Sequence, residues 1–383
     1  MKNIAVISGS RAEYGLLYWT LKELKKSKLL NFKLIVTGTH LSKEHGSTYK
    51  EIINDGFKID HKVNILNANN TTDNIPLLIS ICIKKISKIF SRTKPDLIVI
   101  LGDRYEIFAC AISALAMNIP IAHIHGGELT EGVIDNAIRH SITKMSHLHF
   151  VSHIAYMKRV HQLGENKKNI FHVGALGIEN IIKLNLLNKN GIQKKLETKF
   201  NKKNLLVTFH PITLDNKNTK KYFQNLLKVL LTMKDTNIYF TKANADANGK
   251  LINDLIDKFV INNSSAFVYA SLGKLKYLSL LKYVDGIVGN SSSGILEAPS
   301  LQTGTINIGT RQTGRLKPKS VIDCGYDEKN IKNAINILFS NKFQKSLRNV
   351  SSPYYKKNTS INIVKKLEKI SLNNILIKKF VDE

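Results

Sequence analysis

Short runs of β-branched and other apolar residues alternate along the chain with longer stretches in which apolar positions recur at helical spacing. In the first part the strand-like runs are Ile4–Ile7, Lys33–Val36, Leu97–Leu101, Ile121–Ile124 and Leu148–Val151. Between them, Gly15–Lys26 and Tyr105–Met117 carry the helical period. After a polar joint at Gly164–Asn169, a second series is expected at Phe171–Val173, Leu205–Phe209, Ile238–Phe240, Ala266–Tyr269, Gly286–Val288 and Thr305–Ile308. Strands alternating with helices predict parallel sheets, because a parallel pair needs a long crossover that is usually a helix. Several strands run into a glycine or polar turn, and open parallel sheets bind ligands outside such carboxyl ends. The pattern predicts an α/β protein of two Rossmann-like domains whose parallel sheets face a central cleft. The expected boundaries are residues 1–168 and 169–360. Residues 361–383, with a helix at Ile361–Ile370, form a tail that is a candidate to pack back on the first domain.

A length of 383 residues exceeds what one core usually supports, which agrees with two domains. No apolar run approaches the roughly 18–20 residues that cross a bilayer. The opening MKNIAVISGS reads as a buried strand and glycine turn rather than a signal peptide, so a cytoplasmic protein without a membrane partner is expected. Cys82, Cys110 and Cys324 are far apart, without CxxC or zinc spacing, and are expected to be reduced, buried thiols. The formal charge of +28 raises the question of nucleic acid. Its lysines fall in short scattered groups such as Lys84–Lys85, Lys202–Lys203 and Lys356–Lys357, with no aromatic RNA-binding signature. No nucleic-acid partner is expected.

The polar turns carry the candidate chemistry. Gly9-Ser10-Arg11-Ala12-Glu13-Tyr14-Gly15 follows the first strand; it is not GxGxxG, but it offers backbone N–H groups and Arg11 to an anion. Leu101-Gly102-Asp103-Arg104-Tyr105-Glu106 places an acid and a cation at the end of a strongly apolar strand. His123-Ile124-His125-Gly126-Gly127-Glu128, followed by Glu131, Asp135, Arg139 and His140, is the densest cluster of titratable groups. On a strand, His123 and His125 would share a face. Proton transfer suits such a cluster, and zinc binding by His-x-His with a carboxylate is the competing reading. His210 ends another apolar strand. Asn244-Ala245-Asp246-Ala247-Asn248-Gly249 reads as a turn. Ser291-Ser292-Ser293 with Glu297, and then Arg311 and Arg315, suit a diphosphate and a ribose diol.

The ordered motifs GSRAEYG, LGDRYE, HIHGGELTEG, HPIT, NADANG, GNSSSGILEAPSL and INIGTRQTGR resemble the UDP-N-acetylglucosamine 2-epimerase family, in its hydrolysing branch. The resemblance implies a GT-B fold, a homo-oligomer (dimer or tetramer), a nucleotide-sugar substrate, and no cofactor or metal. It implies catalytic roles for Asp103, His125, Glu128, Asp135 and His210. It also implies that Arg11, Arg104, His210, Asn244, Leu272, Ser291, Ser292, Glu297 and Arg311 hold UDP, Leu272 through its backbone. The implied reaction removes the proton at the acetamido-bearing carbon, expels UDP by anti elimination, and adds water to the 2-acetamidoglucal. The first expectation is UDP-N-acetylglucosamine as substrate and N-acetylmannosamine as product, for sialic acid synthesis. The alternative is a UDP- or GDP-linked 2,4-diacetamido-2,4,6-trideoxyglucose, for legionaminic acid synthesis.

Overall fold

The apolar runs become two all-parallel sheets in a computed structural model that describes residues 1–66, 74–212, 216–243 and 249–382. The chain divides into two compact units. The first comprises residues 1–128, 134–179 and 356–383; the second comprises 129–133 and 180–355.

The first unit holds β1 (Lys2–Ser8), β2 (Leu30–Thr37), β3 (His61–Val63), β4 (Leu97–Leu101), β5 (Ile121–Ile124), β6 (Leu148–Val151) and β7 (Ile170–His172). They lie in the order β3-β2-β1-β4-β5-β6-β7. Ile4 and Val6 join one apolar cluster with Leu97 and Val99, while Ala5 and Ile7 join another with Ile98 and Ile100. Successive side chains point to opposite faces, so both faces of the sheet are buried. That is why these strands read as continuous apolar runs rather than as alternation.

The second unit holds β8 (Lys203–Thr208), β9 (Thr236–Thr241), β10 (Ala266–Tyr269), β11 (Gly286–Gly289), β12 (Gly304–Ile308) and β13 (Val321–Cys324), in the order β10-β9-β8-β11-β12-β13. Each sheet grows outward in both directions from its first strand. Each therefore has one topological switch point, between β1 and β4 in the first unit and between β8 and β11 in the second.

Three strand expectations change. The run expected at Phe171–Val173 to open the second series is instead Ile170–His172, the last strand of the first sheet, pairing with β6, Val151 opposite His172. The edge strands β3 and β13 were not expected from the pattern. β3 has three residues, two of them polar, and β13 exposes Asp323, because an edge strand needs less apolar surface. The C-terminal helix runs Thr359–Lys369 and packs on Arg11–Lys26, with the Thr20 hydroxyl 3.3 Å from that of Ser360. Lys2 Nζ donates to the carbonyls of Leu367, Glu368 and Ile370 at its end, at 2.9, 2.8 and 2.5 Å. Cys82 and Cys110 are buried and Cys324 is only half-buried; all three are free thiols. Among the described residues, no helix is long and apolar enough to cross a membrane.

Candidate active site

In the first unit the turns after β1 and β4 meet at the switch point. The β1 turn starts the helix Arg11–Lys26, capped by the Ser10 hydroxyl, which accepts from the Glu13 N–H. Arg11 is its first residue and half-buried. The Gly9 N–H donates to Glu13 Oε2 at 2.7 Å. A β-carbon on Gly9 would lie 2.5 Å from Glu106 Cγ, so only glycine lets these turns pack together. Arg104 Nε donates to Glu106 Oε1 at 2.9 Å. Glu13 and Glu106 are both buried, and burial, with the charge of Glu106 second, pushes the Glu13 carboxyl up to about 8.

Asp103 and Glu128 are joined through Arg139, which is buried in the helix Asp135–Met145. Arg139 Nη2 donates to Asp103 Oδ2, and Nη1 donates to the Glu128 carbonyl at 2.9 Å. The Ser152 hydroxyl, just after β6, donates to Glu128 Oε1 at 2.8 Å. Asp135 is the first residue of the Arg139 helix and half-buried.

The two histidines part company. His123 lies on β5; its Nε2 is 2.7 Å from the Gly102 carbonyl, and its Nδ1 is 3.2 Å from the Thr143 hydroxyl. Burial pushes its pKa down to about 3, so a neutral ring with Nε2–H donates to that carbonyl and braces the Asp103 turn. His125 lies past the end of β5 with φ +67°, so strand alternation no longer sets its direction and the shared face expected from the sequence is lost. Its Nδ1 is 3.5 Å from Glu128 Oε1, and the Leu176 N–H approaches its Nε2 at 3.5 Å. An N–H aimed at Nε2 makes that nitrogen the acceptor and leaves the proton on Nδ1, toward Glu128. Among the described residues, no group of three or more His, Cys, Asp or Glu is arranged to hold a metal ion.

In the second unit the turns after β8, β11 and β12 converge on Asn290. Its side-chain oxygen accepts the His210 N–H at 2.7 Å, and its amide NH₂ donates to the His210 carbonyl at 2.8 Å. Its own carbonyl accepts from Gln312 Nε2 at 2.8 Å and from Arg311 Nη1 at 3.1 Å. Gly289 makes this approach possible, since a β-carbon there would lie 1.9 Å from the Thr208 carbonyl oxygen. Ser291 and Ser292 are half-buried and lead into a helix of only four residues, Ser293–Leu296. Half-buried Glu297 follows it as the link to a 3₁₀ turn. The Ser291 hydroxyl accepts from the Ser293 N–H at 3.3 Å. Arg315 Nε donates to the Leu129 carbonyl at 2.9 Å, which ties it to the protein's own backbone. Leu272 is buried and immediately precedes the helix Gly273–Leu281. Asn244 lies outside the described residues.

The first unit thus links Asp103, Glu128 and His125 through Arg139 and the β5 turn, with Arg104 next to Asp103 in sequence and Asp135 opening the Arg139 helix, and the second gathers His210, Ser291 and Arg311 around Asn290. Sequence reasoning passed over Ser152, Asn290 and Gln312. The available signal for the first two was that each directly follows a buried strand.

Two parallel units of Rossmann strand order, with acids, imidazoles and guanidiniums gathered on turns that follow their strands, define an α/β protein of the GT-B type. The family profile described as UDP-N-acetylglucosamine 2-epimerase matches residues 22–368. The chain is 45% identical to a GDP/UDP-N,N'-diacetylbacillosamine 2-epimerase (hydrolyzing) from Campylobacter jejuni, over 100% of this chain and 99% of the relative. It is 40% identical to polysialic acid biosynthesis protein P7 from Escherichia coli, over 95% of this chain and 93% of the relative. Its fold matches the crystal structure of a Neisseria meningitidis UDP-GlcNAc 2-epimerase bound to UDP-GlcNAc, with a TM-score of 0.81 at 20% identity, covering 97% of this chain and 100% of that one. The chain belongs to the UDP-N-acetylglucosamine 2-epimerase family.

Proposed function

We propose that this protein is a hydrolysing 2-epimerase acting on a nucleotide-linked 2,4-diacetamido-2,4,6-trideoxyglucose, the sugar also called N,N'-diacetylbacillosamine. This reverses the order expected from the sequence, which put UDP-N-acetylglucosamine first. The observation that carries the reversal is the 45% identity across the whole chain to a hydrolysing enzyme named for that sugar. The geometry supports the chemistry. Elimination needs a proton removed beside the acetamido group and another group to deal with the leaving diphosphate. Asp103, Glu128 and Asp135 are the carboxylates we assign to proton transfer. Arg139 and Ser152 hold the first two in place, and His125 with its proton on Nδ1 orients Glu128. His210, Leu272, Ser291, Ser292, Glu297 and Arg311 of the second unit are the groups we assign to the nucleotide.

The test is a direct competition. Purified protein is incubated in D₂O with the UDP- and GDP-linked diacetamido sugars and with UDP-N-acetylglucosamine, and the products are followed by NMR. The expected result is a free, epimerised diacetamido sugar carrying deuterium at carbon 2, with release of the nucleoside diphosphate. Turnover of UDP-N-acetylglucosamine alone would restore the first expectation, and release without deuterium at carbon 2 would rule out elimination.

A further inference from the structure

We propose that Asn290 is the positioning residue of the nucleotide-holding loops, acting through His210 and Arg311. It rests on the reading that these loops hold a nucleoside diphosphate. Asn290 is fully buried, and each of its backbone and side-chain polar atoms is engaged. Its N–H donates to the Thr208 carbonyl at 3.2 Å. Its side chain takes both the N–H and the C=O of His210, at 2.7 and 2.8 Å. Its carbonyl receives Gln312 at 2.8 Å and Arg311 at 3.1 Å. An amide carries an acceptor and a donor on one rigid plane. Spending both on a single residue fixes the backbone of His210 in orientation as well as in position, much as a rung of a sheet does. The carbonyl does the same for one arm of the Arg311 guanidinium. Through its side chain for the His210 backbone and its carbonyl for the Arg311 guanidinium, one residue thereby links groups that arrive from different turns, after β8 and after β12.

Asp at this position keeps the size and still accepts the His210 N–H, but it sets a carboxylate oxygen against the His210 carbonyl. Asn290→Asp is therefore the test, read by calorimetry with UDP and GDP, with and without His210→Ala. We expect Asn290→Asp to weaken nucleotide binding about ten-fold or more, as small misplacements of positioned groups do. In the His210→Ala background the same change should cost less than about three-fold, because the group it aims is gone. Equal losses in both backgrounds, or binding within about two-fold of wild type, would overturn the proposal. Should Asn290→Asp fail to fold, Gln312→Glu replaces the donor to the Asn290 carbonyl with a carboxylate oxygen, and it should weaken binding about three-fold. Unchanged binding in that variant overturns the proposal too. Wild-type protein that binds neither UDP nor GDP overturns the nucleotide reading itself, a result no variant can mimic.

Discussion

Arg139 is the group on which the catalytic reading leans hardest, because one guanidinium serves two of the proposed carboxylate residues. Arg139→Leu removes a charge-assisted bond to Asp103 and a bond to the Glu128 carbonyl. The first is worth about 1.5–3 kcal/mol in general, and a buried carbonyl left without a donor costs about 1–3 kcal/mol. The Asp103 side chain is 21% exposed, so water takes over part of the first loss and the low end applies there. The Arg139 side chain is 5% exposed, so little water reaches the Glu128 carbonyl. The total comes to about 3 kcal/mol of folding stability. Arg139→Lys keeps the charge but offers a single point donor in place of a fork. It should lose only about 1 kcal/mol of stability, yet kcat/KM should fall about 100-fold, because the Asp103 carboxylate and the Glu128 backbone lose their fixed spacing. Urea denaturation and steady-state kinetics on the proposed diacetamido substrate measure the two effects separately. Full kcat/KM in Arg139→Lys, with a stable Arg139→Leu, would refute the claim that this bridge organises the site.

Burial by itself would raise Glu165, but hydrogen bonds from His149 and Lys378 hold its carboxyl down to about 2, so its stabilisation is present above the unfolded value of 4.5 and is lost as pH falls toward 2. Lys378→Met should lower the Tm at pH 6, with the difference from wild type closing by pH 2; a gap that persists in acid would contradict this. Glu13 is shifted the other way, so the stability tied to its proton is complete below pH 4.5 and is lost as pH rises through about 8. Glu13→Gln, which can still accept the Gly9 N–H, should therefore raise the Tm at pH 9 and leave it unchanged at pH 4. Gly289→Ala forces a β-carbon against the Thr208 carbonyl and should cost about 2 kcal/mol or more in urea denaturation, with weakened UDP binding.

Most strands were legible because buried parallel strands have no polar face to confuse the pattern. The runs at Leu97–Leu101, Ile121–Ile124 and Leu148–Val151 are the observed strands without change. The sequence did not reveal sheet membership. Ile170–His172 looks like any other short apolar run, and only its pairing with β6 assigns it to the first unit. The acids and histidines of the candidate site stood out because titratable groups at strand ends are conspicuous. The residues that position them did not. Ser152, Asn290 and Gln312 are ordinary polar residues whose roles exist only once separate turns have come together.

His125 shows why such a site resists reading by periodicity. The period-two rule holds while the backbone stays extended, and it places His123 correctly on β5. One residue past Ile124 the chain turns to φ +67°, a conformation that a residue with a side chain adopts at a cost unless its surroundings impose it. Here the surroundings do: the His125 N–H donates to the Phe150 carbonyl at 2.8 Å, and its ring sits between Glu128 and the Leu176 N–H. The same departure from strand geometry that defeats the pattern is what carries the imidazole from the structural side of Gly102 to the carboxylate of Glu128. Strain and chemistry coincide at this residue, and the rule that locates its neighbour His123 fails where the site begins.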